Sequence, residues 1–145
     1  MQIHASCAAR GGAGVLLLGP SGAGKSDLLL RLLDHGFILV ADDRVELADG
    51  LASAPPELAG LLEVRGLGLV RLPCTASARL ALAVDLAASP ERLPRPARHA
   101  ETGLPLVALD PKSPSAPARV ALALACALGH VPLAAGAFAA GAFAK

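Results

Sequence analysis

The stretch Val15-Leu16-Leu17-Leu18-Gly19-Pro20-Ser21-Gly22-Ala23-Gly24-Lys25-Ser26-Asp27-Leu28-Leu29-Leu30 decides the fold. Its middle, Gly19 to Ser26, satisfies the pattern G-x-x-x-x-G-K-[ST] at every fixed position. The four apolar residues before it predict a buried strand. Asp27-Leu28-Leu29-Leu30-Arg31-Leu32-Leu33 after it is rich in helix formers and is stopped by Gly36, which predicts a helix from about Lys25 to His35. Strand, glycine loop and helix form the context in which the pattern has mechanical meaning. Glycines let the backbone curl so that successive N–H groups face a phosphate, and the helix start adds the positive end of its dipole. Gly19, Pro20, Ser21, Gly22, Ala23, Gly24, Lys25 and Ser26 are therefore the expected nucleotide-binding residues. Lys25 would reach the β- and γ-phosphates of ATP, and Ser26 would offer its hydroxyl to Mg2+.

On the N-terminal side, Ile3 to Ala8 reads as a strand that turns through the glycines of Arg10-Gly11-Gly12-Ala13-Gly14 straight into the Val15 strand. So short a link demands antiparallel pairing and puts His4 near one end of the sheet. On the C-terminal side, Phe37 to Ala41 is expected as a parallel neighbour of the Val15 strand through a right-handed crossover, which would bring Asp42 and Asp43 beside bound phosphates. Arg44 to Ala52 predicts a hairpin. Glu63 and Arg65, two apart, would share a face of an extended chain, with Gly66 and Gly68 allowing close backbone approach to a ligand.

Further along, Arg79 to Leu86 reads as a strand, and residues 90–103 form a proline-broken basic loop, read as solvated surface in preference to a phosphate lid. Leu104 to Leu109 reads as an edge strand, because Pro105 cannot donate to a ladder. A helix is expected from Ser115 to about Leu128. The Ala-Gly-Ala-Phe repeat at 135–138 and 140–143 reads as a frayed tail, dividing the chain into a catalytic domain at 1–131 and a tail at 132–145. The fold class is α/β, a P-loop kinase-like mixed sheet with flanking helices.

Composition bounds the function. One domain of 145 residues, 54% hydrophobic and 17% charged, is a packed globular chain. A net charge of +1, no Trp or Tyr and three Phe leave neither a basic footprint nor stacking platforms, so no nucleic-acid partner is expected. Cys7, Cys74 and Cys126 have no disulfide or zinc spacing, and no signal segment precedes His4, which points to the cytoplasm. The uncharged run from Val120 to Ala144 is long enough for a membrane span, but its Ala and Gly content, His130 and Pro132 favour a buried helix, so no membrane is expected.

Four segments resemble the catalytic domain of the HPr kinase/phosphorylase family. They are His4 on the strand before the P-loop, the P-loop itself, Val40-Ala41-Asp42-Asp43-Arg44-Val45-Glu46, and Leu62-Glu63-Val64-Arg65-Gly66-Leu67-Gly68. The resemblance implies a fold related to phosphoenolpyruvate carboxykinase, in a short form consisting of the C-terminal catalytic domain alone. It implies an ATP-dependent protein serine kinase with a regulatory role, acting on an HPr-type phosphocarrier of the phosphotransferase system, with phosphorolysis as the reverse reaction. By the same resemblance Asp43 is the base on the carrier's serine and His4 holds it. Lys25 balances phosphoryl charge, Ser26 and Glu63 hold Mg2+, and Asp42, Arg65 and Lys112 assist. A homo-oligomer is implied too, a hexamer being one candidate. The family's late Pro-Gly-Arg segment is absent; Asp110 to Arg119 stands there, with Lys112 and Arg119 as its cations. Two other readings stay open: a small-molecule kinase using the Arg92 to Arg98 loop as its lid, and an ATP-sensing module without catalysis.

Overall fold

The computed structural model describes residues 1–139, so the second Ala-Gly-Ala-Phe repeat lies outside the described residues. Strand, loop and helix occur as read, in β3 (Ala13–Leu18) and α1 (Lys25–Leu33). Leu28, Leu29 and Leu32 are buried while Leu30 is exposed, the spacing of a helix with one apolar face. After α1 the N–H groups of His35 and Phe37 both return to the Leu32 carbonyl, and the chain reverses at Gly36.

β2 (Ser6–Arg10) pairs antiparallel with β3 as expected, through a two-residue turn in which Gly11 and Gly12 both have positive φ. The position of β4 (Ile38–Ala41) differs from expectation. It pairs antiparallel with β2, and the parallel neighbour of β3 is β9 (Ala78–Asp85). The tight β2–β3 hairpin already occupies the edge of β3 that the crossover would have reached. The chain therefore passes over β2 and pairs on its far side.

β5 (Val45–Ala48) and β6 (Leu51–Ser53) form the expected hairpin, and β1 (Gln2–Ile3) adds to β5. Among the described residues the main sheet runs β1-β5-β6-β9-β3-β2-β4, with β10 (Leu106–Ala108) parallel to β9 at an edge. β7 (Leu61–Val64) and β8 (Gly68–Arg71) make a separate hairpin, and α2 (Ala116–Ala127) follows β10. Side chains alternate between two cores. Val15 and Leu17 join Leu28, Leu62, Val84 and Val120 on the helix side, whereas Leu16 joins Cys7, Val40, Val45 and Ala52 on the other.

The second core is possible because the sheet curls until β4 and β6, far apart in strand order, touch. The pairs Gln2↔Glu46, Ile3↔Val45 and Cys7↔Ala41 share a single register. β1–β2 and β4–β5 are thus two arms of one bent antiparallel ribbon, interrupted at His4-Ala5 and Asp42-Asp43-Arg44. A hydrogen bond from the Ala5 N–H to the Asp43 carbonyl, 3.2 Å, ties the two interruptions together. His4, expected on a strand, instead occupies this corner.

Within residues 131–139, Ala137 is buried and Phe138 packs on the helix-side core. Among the described residues no helix is long and apolar enough to cross a membrane.

Candidate active site

The ribbon corner and the P-loop meet through adjacent aspartates that face different partners. At Asp43 the chain takes φ 68, and the Arg44 N–H bonds back to the Asp42 carbonyl at 2.8 Å, a three-residue γ-turn. Positive φ at a non-glycine residue is strained, and Asp tolerates it better than most. The turn is fixed from both sides, by Ala5 N–H on the Asp43 carbonyl and by Asp43 N–H on Ser6 Oγ at 3.4 Å. It directs the two carboxylates apart.

Asp43 Oδ1 lies 2.7 Å from His4 Nε2, with both side chains more than half exposed, at 51% for His4 and 64% for Asp43. Asp42 points inward instead. Its Oδ1 accepts hydrogen bonds from Ser6 Oγ at 2.8 Å and from Ser26 Oγ at 2.9 Å. Although β4 is not adjacent to β3, Asp42 thus reaches the P-loop serine, joining the two halves of the site.

The loop itself is built by close approach. Gly19 has φ 151, and a Cβ there would stand 2.8 Å from the Ala23 Cβ, so only glycine lets the loop fold back on itself. Gly24 caps α1 in the left-handed conformation, and a Cβ there would press on the ring of Pro111. Lys25 is 6% exposed, with Nζ donating to the carbonyls of Gly19 at 2.6 Å and Pro20 at 3.1 Å. A buried ammonium with no carboxylate partner among the described residues, beside a glycine cradle, fits the phosphates of ATP. The Ser26 hydroxyl and the Asp42 carboxylate, both hard oxygens, fit Mg2+.

Glu63, Arg65 and the Lys112 side chain make no hydrogen bond or ion pair with the P-loop among the described residues. Glu63 is exposed on β7, and β7 ends at Val64, so Arg65 lies in the turn with Gly66 and does not share a strand face with Glu63. No cluster of three or more His, Cys, Asp or Glu able to hold a metal occurs among the described residues. Lys112 is exposed, in a loop that Arg31 latches to α1 through the carbonyls of Pro111 and Ser113. Buried Pro111 sits against Gly24, which holds Lys112 one residue from the P-loop.

Sequence reasoning missed Ser6, fully buried yet hydrogen-bonded to Asp42; a single hydroxyl inside an apolar strand was the available signal. It also missed Asp85 at the end of β9, whose Oδ1 accepts from the N–H groups of Ala87 and Ala88. Beneath the site, burial pushes the Cys7 thiol up to about 12, slightly offset by a backbone hydrogen bond at Val15.

Comparison with known proteins bears on this geometry. The sequence model described as HPr Serine kinase C-terminal domain matches residues 1–86. HPr kinase/phosphorylase 1 of Oceanobacillus iheyensis is 46% identical over 66 residues, 42% of this chain and 21% of the relative. HPr kinase/phosphorylase of Bordetella petrii is 53% identical over 64 residues, 41% of this chain and 21% of the relative. That of Geobacillus kaustophilus is 44% identical over 87 residues, 52% of this chain and 28% of the relative. The matches thus span less than a third of those relatives' own lengths. The solved Hpr(Ser) kinase/phosphatase from Coxiella burnetii superposes with a TM-score of 0.67 at 22% identity, covering 83% of this chain and 86% of that one, a likeness of fold.

Proposed function

The chain belongs to the HPr serine kinase C-terminal domain family, and from that premise we propose that it is an ATP-dependent protein serine kinase acting on an HPr-type phosphocarrier of the phosphotransferase system. The observation that carries this reading is the division of labour between neighbouring aspartates, Asp42 bonded to the P-loop Ser26 and Asp43 bonded to His4. ATP would supply the transferable phosphoryl group, and Ser26 and Asp42 would hold Mg2+, whose charge would offset that of the phosphates. Lys25 leaves the loop carbonyls for the β- and γ-phosphates. Asp43 accepts the proton of the carrier's serine hydroxyl as that oxygen takes the phosphoryl group, and it returns the proton when inorganic phosphate reverses the transfer. His4 orients the carboxylate and presents it to solvent, where a protein substrate can reach it.

Glu63, exposed on β7, would join Ser26 and Asp42 in holding Mg2+, and Arg65 would assist. Lys112 is the cation supplied where the family carries its late arginine. The exposed Leu67 and Leu69 of the hairpin support a homo-oligomer, with a hexamer as candidate, and the cytoplasm is the proposed compartment. The domain division proposed is 1–131 and 132–145.

The test is incubation of the chain with ATP, Mg2+ and purified HPr, followed by mass spectrometry. Phosphoserine on HPr supports the reading. ATP turnover on small acceptors without phosphorylated HPr favours a small-molecule kinase, and ATP binding without any transfer favours a sensing module.

A further inference from the structure

Residues 88–97, which overlap the 90–103 stretch expected as solvated surface, wall a cavity of about 630 Å³ at the carboxyl ends of β9 and β10. Its floor is Leu106, Val107 and Ala108 of β10, and the opposite wall is Pro94, Arg95 and Pro96. Asp85 stands at the corner it shares with the P-loop. The next residue, Leu86, donates its N–H to the Leu18 carbonyl at 2.9 Å, and Ala87 N lies 4.0 Å from where a Cβ on Gly19 would sit. Cavity and phosphate loop therefore flank the end of one strand, in the crevice where open α/β sheets take ligands.

We propose that this cavity receives the base and ribose of the nucleoside triphosphate whose phosphates lie on Gly19 to Ser26; the proposal rests on the P-loop reading above. The volume suits a nucleoside, within the range of roughly 300–1,000 Å³ for small-molecule sites. Charge decides against a second phosphate site. Arg95 is accompanied in the lining by two carboxylates, Asp85 and Glu91, and Arg98 is engaged on the Gly103 carbonyl at 2.7 Å. Such a lining repels a polyanion and suits a neutral polar ligand with flat apolar faces. Proline rings and Val107 supply those faces, and the Arg95 guanidinium can stack on a heterocycle. Both backbone N–H groups that fix Asp85 use Oδ1, which leaves Oδ2 for ribose hydroxyls. Most of this lining falls beyond residue 86, where the family match ends, so nucleoside selection here belongs to the chain's own C-terminal part.

The experiment titrates the full chain with Mg-ATP and with Mg-tripolyphosphate by calorimetry. The wild type is expected to bind ATP about tenfold or more tightly than tripolyphosphate. Ala97→Trp, at an exposed position of the lining, fills the cavity; it should weaken ATP by about tenfold and leave tripolyphosphate within about twofold. Ser89→Trp, also exposed and lining, is the second variant should the first fail to fold. Photolabelling with 2-azido-ATP should place the adduct within residues 88–108. Equal wild-type affinity for ATP and tripolyphosphate, unchanged ATP binding in a folded variant, or labelling elsewhere overturns this proposal and leaves the P-loop reading standing. Absence of binding by either ligand overturns both.

Discussion

Replacing the neighbouring aspartates one at a time should separate stability from chemistry. Asp42→Ala removes the acceptor for two hydroxyls, one of them Ser6, which is 0% exposed. Leaving that hydroxyl underbonded costs about 1–3 kcal/mol. At roughly 3 °C per kcal/mol for a chain of this length, the melting temperature should fall by about 3–9 °C. Asp43→Asn loses only an ion pair whose members are 51% and 64% exposed. Such pairs are worth about 0–1 kcal/mol, and Asn accepts the positive φ, so the melting temperature should fall by no more than about 3 °C. The order reverses for chemistry. Asp43→Asn cannot take the serine proton and should lose about 10²- to 10⁴-fold in phosphorylation of HPr, and equally in phosphorolysis, with nucleotide affinity little changed. Asp42→Asn keeps an acceptor oxygen for both serines but gives up carboxylate charge toward Mg2+, so raised Mg2+ should restore part of its transfer, which it should not do for Asp43→Asn. Scanning calorimetry without nucleotide and mass-spectrometric rates in both directions provide the two axes. If Asp43→Asn melts as early as Asp42→Ala, or transfers within tenfold of wild type, the assignment of base and strut is wrong.

Lys25→Ala should remain folded by circular dichroism yet lose at least ~10²-fold in transfer, since the ammonium serves the phosphates; near-normal transfer would remove the P-loop from the mechanism. Leu62→Ala empties a core position that anchors the β7–β8 hairpin and should cost about 2–5 kcal/mol in denaturant titration, whereas Leu69→Ala, 68% exposed, should stay within about 0.5. Cys7 sits at about 12 in the fold against 9.0 ordinarily, so its contribution to stability is complete below pH 9 and is lost as pH rises from 9 toward 12. Cys7→Ala should flatten that alkaline decline, and a thiol reagent at pH 8 should modify exposed Cys74 while sparing Cys7.

The parts legible in sequence are those with local causes. Gly19 and Gly24 are demanded by contacts within a few residues or by a helix cap, so their spacing betrays the loop, and α2 follows from Pro117 near its start and Gly129 after its end. The neighbours of β4 were not legible. Periodicity identifies a strand, but the choice between β2 and β3 as partner depends on which edge the N-terminal hairpin leaves open. The roles of His4 and Asp43 came through family resemblance, since the residues lie 39 positions apart and nothing local joins them. Apart from that resemblance, nothing in composition distinguishes Asp42 from Asp43, because the γ-turn that splits them leaves no mark on it. The cavity escaped for a related reason: its basic proline loop resembles ordinary surface until β10 is placed beneath it.

The bent ribbon constrains the number of residues at its corner more tightly than their kinds. Four positions separate Ile3 from Cys7 on one arm, and four separate Ala41 from Val45 on the other. Register has period two, so adding or deleting one residue in a single arm would turn Val45 or Ile3 outward from the second core and carry the carboxylate away from the imidazole. In a library of variants differing in length at residues 4–5 and 42–44, unpaired insertions should vanish from the functional pool. Only changes matched across both arms keep the ladder in step, so this corner can vary in spelling while its metre is fixed.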